Sequence, residues 1–131
     1  MKILVVDDDF RNRKVLEEML KSYGSTDLAV DGKAAVNAVR AAVTAGEPYN
    51  LICLDIMMPE MDGHEALKQI RAMEVAEGKD PGTGVKIIMI TSLGDSKNVF
   101  ASFKSQCDGY LVKPFVNATL QVELRKLGLI E

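Results

Sequence analysis

What this chain lacks narrows its function before any motif is read. It holds one histidine and two cysteines in 131 residues, so no His/Cys group has the spacing a zinc centre needs. Sixteen Lys and Arg stand against 19 Asp and Glu, a net charge of -3. That leaves no basic surplus to grip a phosphate backbone and argues against direct nucleic-acid binding. No apolar run approaches the length of a membrane span, and Met1-Lys2-Ile3-Leu4 reads as the start of a strand and not as a signal peptide. The expectation is therefore a cytoplasmic protein without membrane insertion. Both a Gly-x-Gly-x-x-Gly turn and a Gly-x4-Gly-Lys-Ser/Thr loop are missing, which removes the usual nucleotide-binding readings. There is no repeat or low-complexity tract, and the one linker-like stretch, Glu77 to Gly84 with three glycines and a proline, is too short to separate domains. It is expected to be a long loop.

What is present suits a soluble globular protein: 47% hydrophobic and 27% charged residues, in a chain long enough to bury one core without disulfides or structural metal. A single domain over residues 1–131 follows, and the ending Leu127-Gly128-Leu129-Ile130-Glu131, directly after a helical stretch, reads as self-contained. Cys53 lies inside an apolar run, where a thiol packs as a small hydrophobe. Cys107 sits in a turn without a second ligand beside it.

Short apolar runs alternate with amphipathic stretches from end to end, the pattern of a parallel sheet covered by helices on both faces. Strands are expected at Lys2 to Asp7, Thr26 to Val30, Asn50 to Asp55, Val85 to Thr91 and Gly109 to Val112. Val15, Leu16, Met19, Leu20 and Tyr23 mark a first helix by their spacing, with Gly24 placed where a helix end favours a left-handed residue. A second begins near Gly32, carries Val36, Val39 and Val43, and is stopped by Gly46 and Pro48. A third runs from Gly63 with Leu67 and Ile70 inward, a fourth carries Val99 and Phe103, and a fifth Leu120, Leu124 and Leu127.

In such a sheet the binding crevice lies beyond the carboxyl ends of the strands, where the strand order reverses. Asp7 and Asp8 end the first strand, Asp55 the third and Thr91 the fourth, and Lys113 follows the fifth. All converge on one rim. Crowded carboxylates repel unless a divalent cation joins them, and magnesium suits hard oxygen donors beside a phosphate. Lys113 adds a second positive charge and Thr91 a hydroxyl donor, which completes the parts for moving a phosphoryl group onto a carboxylate. Taken singly each has a plain structural role. Asp9 could cap the helix beginning near Arg11 or Asn12, Thr91 could be only a strand residue, and Lys113-Pro114 only an exposed turn. His64, after Asp62-Gly63 at a helix start, is expected to face solvent. The joint occurrence, in order and at the right strand ends, is what separates function from structure here.

Four segments carry a resemblance: Ile3-Leu4-Val5-Val6-Asp7-Asp8, Leu54-Asp55-Ile56-Met57-Met58-Pro59-Glu60-Met61-Asp62-Gly63, Ile90-Thr91-Ser92 and Gly109-Tyr110-Leu111-Val112-Lys113-Pro114-Phe115. The chain resembles, over nearly its whole length, the receiver domain of bacterial two-component response regulators. The resemblance implies a flavodoxin-like α/β fold, a doubly wound five-stranded parallel sheet of order 2-1-3-4-5 with five helices. It implies that Asp55 accepts a phosphoryl group from a histidine kinase phosphohistidine or a phosphotransfer domain. Magnesium, for which manganese can substitute, would be held by Asp8, Asp55 and the backbone carbonyl of Met57, with Asp7 acting through water.

By the same resemblance Lys113 pairs with Asp55 and then with the phosphoryl group, and Thr91 bonds to it. Ser92 is small enough to leave access, and the Lys113–Pro114 peptide is cis. Tyr110 then turns inward and reshapes an output face of Val99, Phe100, Phe103, Tyr110 and Val112, on the fourth helix, fifth strand and fifth helix, for a downstream protein. Met57 and Leu93 flank the approach of a hydrolytic water; being apolar, they position none and imply slow self-dephosphorylation. The protein would be a switch that catalyses only its own phosphotransfer and dephosphorylation, monomeric or weakly dimeric once phosphorylated. A phosphorelay intermediate is an alternative within the family. The enzymatic rival, a haloacid-dehalogenase-type phosphatase, needs a second Asp two residues after the nucleophile, where this chain has Met57, which cannot shuttle a proton.

Overall fold

The computed structural model of the protein describes residues 1–58, 61–78, 84–92 and 107–131. Its elements are β1 (Lys2–Val6), α1 (Phe10–Leu20), β2 (Ser25–Ala29), α2 (Gly32–Thr44), β3 (Leu51–Asp55), α3 (Gly63–Ala76), β4 (Lys86–Ser92), β5 (Gly109–Lys113) and α4 (Asn117–Lys126). The strands pair in parallel in the order β2-β1-β3-β4-β5, the flavodoxin-like arrangement, and no strand end differs from its expected position by more than one residue. Four helices stand among the described residues. The helix expected fourth, with Val99, Phe100 and Phe103, lies outside them, and the one expected fifth is α4.

The near-continuous apolar strands arise because helices cover both faces of the sheet. Leu4, Val6, Ile52, Leu54, Ile87 and Met89 pack against Val36, Val39, Leu67 and Ile70 of α2 and α3. The alternate residues Ile3, Val5, Cys53, Ile88 and Ile90 pack against Leu16, Leu20, Leu120 and Leu124 of α1 and α4. Each such Leu or Ile contributes about 1.5 to 3 kcal/mol by leaving water.

The helices start where the strands stop. Asp9 Oδ1 accepts from the Arg11 N–H at 2.8 Å, Asp31 Oδ1 from Ala34 at 2.8 Å and Asp62 Oδ1 from Glu65 at 3.0 Å. These caps, each worth about 1 kcal/mol, set the first turns of α1, α2 and α3. Gly46, with φ of 76°, closes α2 as its placement predicts.

Two expectations for α1 need correction. The helix ends at Leu20 with Lys21 right-handed, and Gly24 is not among the left-handed glycines. Gly24 is needed for space instead, because a Cβ there would collide with the Met1 backbone carbonyl, which accepts from Ser25 N–H at 3.0 Å. Val15 is 52% exposed and not inward, since Leu16 and Leu20 form the buried line.

At the amino end of the sheet, Arg71 of α3 donates to Glu74 Oε1 at 2.7 Å, to the Val85 carbonyl at 2.9 Å and to Asp108 Oδ2 at 2.8 Å. Ile87 N–H donates to the same Asp108 oxygen at 2.8 Å. One guanidinium thus ties α3 to the entries of β4 and β5 and leaves the carboxyl end to the site.

Candidate phosphoacceptor and metal site

The order of the strands reverses between β1 and β3, and their carboxyl ends bring the acidic residues together. Asp7, one residue past β1, is fully buried, and Asp55, the last residue of β3, is 5% exposed; Asp8 is exposed. A carboxylate oxygen from each of the three lies within 4.8 Å of the other two. Lys113, at the end of β5, reaches across: its Nζ is 3.3 Å from Asp7 Oδ2 and 3.6 Å from Asp55 Oδ2. Asp7 Oδ1 accepts from the Asp9 N–H at 2.8 Å, and Asp55 Oδ1 from Met57 N–H at 3.4 Å.

One lysine does not balance three carboxylates. The Asp55 carboxyl is accordingly pushed up from 3.8 to about 6, first by burial and then by the charge of Asp7, with a smaller push from Asp8; Lys113 and the Met57 N–H pull the other way. This is the environment a hard divalent cation relieves. The donors are all carboxylate oxygens, two of them buried and one facing solvent, so a magnesium ion that keeps several waters fits the residues present.

Thr91, on β4 beside β3, is 1% exposed, and its hydroxyl donates to the Ser92 carbonyl at 3.4 Å, too long to hold it strongly. Ser92 is exposed at the strand end, in register with Lys113. The Lys113–Pro114 peptide is cis. Tyr110 is 49% exposed and Met57 63%, and Val112 is half-buried between Leu111 and Lys113. Leu93, Val99, Phe100 and Phe103 lie outside the described residues. His64 is half-buried at the start of α3. The Cys53 thiol, wholly enclosed, is pushed up to about 12 by burial, as an inert core group should be.

Two features escaped the reading of the sequence. Arg13 Nη1 donates to the Asp7 backbone carbonyl at 2.8 Å, a contact that no motif signals because it runs between side chain and main chain. Apolar surface also stands close in sequence to the site residues: Phe10, next to Asp9, is 63% exposed and Val116, three residues past Lys113, 64%, and a cavity of about 210 Å³ lies between α1 and the turn after β5, lined by Asn12, Val15, Leu16, Met19, Lys113, Pro114 and Phe115.

Fold and cluster together define a doubly wound α/β protein with an acidic, lysine-bearing cluster at the carboxyl end of its sheet. The family model for the response regulator receiver domain matches residues 3–125, and the chain belongs to that family of two-component signalling domains. It is 34% identical over 126 residues to the osmosensing histidine protein kinase SLN1 of Saccharomyces cerevisiae, covering 95% of this chain and 10% of that protein. It is 34% identical over 127 residues to the probable transcriptional regulator ycf27 of Cyanophora paradoxa, covering 96% and 47%. The chain thus spans from about a tenth to about half the length of these curated relatives.

Among solved structures it superposes with a TM-score of 0.76, at 32% identity and 97% coverage of both chains, on the receiver domain of a sensor histidine kinase from Pseudomonas aeruginosa PAO1, which has a magnesium ion coordinated in its active site cleft. The chemotaxis protein CheY4 of Vibrio cholerae gives 0.77 at 27% identity, covering 96% of this chain and 97% of that one.

Proposed function

We propose that this chain is a magnesium-dependent switch phosphorylated on Asp55, forming one receiver domain over residues 1–131. The observation that carries the reading is the Lys113 ammonium set between the Asp7 and Asp55 carboxylates at 3.3 and 3.6 Å, with Asp8 completing a three-carboxylate group. A carboxylate raised to about 6 is still ionised at neutral pH and is the nucleophile. One of its carboxylate oxygens attacks the phosphorus of a phosphohistidine; the P–N bond breaks, its electron pair returns to the imidazole, and the aspartyl phosphate forms. Lys113 follows the new charge onto the phosphoryl oxygens. Asp8, Asp55 and the Met57 backbone carbonyl would hold magnesium, with Asp7 acting through water. The ion supplies charge neutralisation at the transferring group.

The donor is a histidine kinase or phosphotransfer domain, and the exposed Phe10 and Val116, with Val15 of α1 and Phe115 of the turn after β5 lining one cavity, offer it an apolar surface. Thr91, with only a weak bond to lose, turns toward the phosphoryl group, and Tyr110 moves inward from its exposed position. Val99, Phe100, Phe103, Tyr110 and Val112 then present the changed face to a downstream partner in the cytoplasm. No helix among the described residues is long and apolar enough to cross a membrane. The likeness to segments of histidine kinases favours one second reading, a receiver that passes its phosphoryl group onward in a phosphorelay.

The test is phosphotransfer from purified kinases with magnesium, read by intact and peptide mass spectrometry. Asp55 takes one phosphoryl group, Asp55→Asn takes none, and Asp8→Ala is labelled far more slowly. A label on another residue, or steady turnover of phosphomonoesters, would overturn the proposal. Rapid onward transfer to a histidine phosphotransfer domain selects the relay reading.

A further inference from the structure

The turn that follows β1 must hold Asp7 and Asp8 at a fixed angle to each other. The register between β1 and β3 ends at Val6 and Leu54, and the last bond on the β2 side, from the Asp7 N–H to the Ala29 carbonyl at 3.1 Å, holds the nitrogen of Asp7 and not its carbonyl. Three hydrogen bonds take over. Asp9 N–H meets Asp7 Oδ1 at 2.8 Å, Arg11 N–H meets Asp9 Oδ1 at 2.8 Å, and Arg13 Nη1 meets the Asp7 main-chain carbonyl at 2.8 Å. The first two are local, between residues two apart. The third alone reaches across a full turn of α1 and fixes the plane of the Asp7–Asp8 peptide, because a planar peptide carries the carbonyl of Asp7 and the N–H of Asp8 in opposite directions. Asp8 is exposed, so the direction in which its side chain leaves the backbone depends on the peptide plane more than on packing.

We propose that Arg13 is a positioning residue for the cation site: through the Asp7 carbonyl it orients the Asp7–Asp8 peptide so that the Asp8 carboxylate meets those of Asp7 and Asp55. This rests on the reading of the site given above and adds a residue to it. Arg13 is half-buried on α1 and gains support from the Phe10 ring, whose centroid is 5.8 Å from its guanidinium carbon. Loss of a group that orients a metal-binding carboxylate commonly costs about 10- to 100-fold in metal affinity. Near the lower end is expected here, since the other bonds to this turn remain, among them Asp7 N–H to the Ala29 carbonyl and Lys113 to the Asp7 carboxylate.

The experiment is titration calorimetry of magnesium into the unphosphorylated full chain, for wild type, Arg13→Gln and Arg13→Lys, with thermal unfolding measured on each protein without divalent ions. Arg13→Gln should bind about tenfold more weakly while its unfolding midpoint moves by no more than about 3 °C, and Arg13→Lys, whose ammonium can still reach a carbonyl, should recover most of the affinity. Wild-type affinity in Arg13→Gln overturns the inference alone. Weakened binding that Lys does not restore, or that comes with a large fall in the midpoint, overturns it too, since the residue would then serve the fold at large. A wild type that binds no magnesium overturns both this inference and the site reading on which it rests.

Discussion

Replacing Asp55 with Asn should stabilise the metal-free protein, and by an amount that depends on pH. Burial and the neighbouring Asp7 raise the Asp55 carboxyl from 3.8 to about 6, which corresponds to about 3 kcal/mol of differential free energy against the ionised form. That figure already includes the opposing pull of Lys113 at 3.6 Å, and screening by solvent at the rim reduces the expected gain to about 1 to 2 kcal/mol at pH 7. The sign follows from proton counting. Between 3.8 and about 6 the folded protein holds this proton more tightly than the unfolded chain, so wild-type stability from this group falls as pH rises through that window and is flat above it.

Asn cannot ionise, so the advantage of Asp55→Asn should be largest at pH 7 and shrink toward zero near pH 4. Urea unfolding followed by circular dichroism, without divalent ions, measures it at both pH values. A domain of this size shifts by about 3 to 5 °C per kcal/mol, so thermal scans give a second reading. Equal stability at pH 7, or an advantage unchanged from pH 7 to pH 4, would refute the electrostatic account. Magnesium should narrow the gap by stabilising the wild type selectively.

Other outcomes follow from the same geometry. Thr91→Ala should still accept phosphate yet switch poorly, because the hydroxyl is the differential contact between the two states; amide shifts on β5 and α4 that match those of the wild type on phosphorylation would sink this. Met57→Asn together with Leu93→Gln should hasten phosphate loss by supplying groups that hold an in-line water, and decay no faster than wild type would mean that the apolar cover does not set the lifetime. Arg71→Met should cost about 2 to 3 kcal/mol, since Glu74 and Asp108 would lose the cation they share, with magnesium affinity unchanged; a loss below about 0.5 kcal/mol in urea unfolding would show that solvent already screens the cluster.

The sequence by itself determined the layer architecture and most of the site. Strands buried on both faces must read as continuous apolar runs, so Ile3 to Val6, Leu51 to Leu54 and Ile87 to Ile90 were legible without coordinates. A carboxylate placed directly after such a run has to lie at the sheet's end, which made Asp7 and Asp55 candidates on local grounds. The order of the strands came from resemblance alone, because periodicity says which face a residue occupies and nothing about which strand lies beside it.

Tertiary structure decided what depends on partners distant in the chain. Lys113 pairs with Asp7 across 106 positions, Gly24 is needed because the Met1 backbone crosses it, and Arg71 joins three elements by bonds to main-chain and side-chain oxygens. Arg13 is the clearest case. Its sequence position marks only a charged residue on a helix, and its contact is a carbonyl, a group every residue carries; only folding selects the carbonyl of Asp7, by bringing the first turn of α1 back over the end of β1.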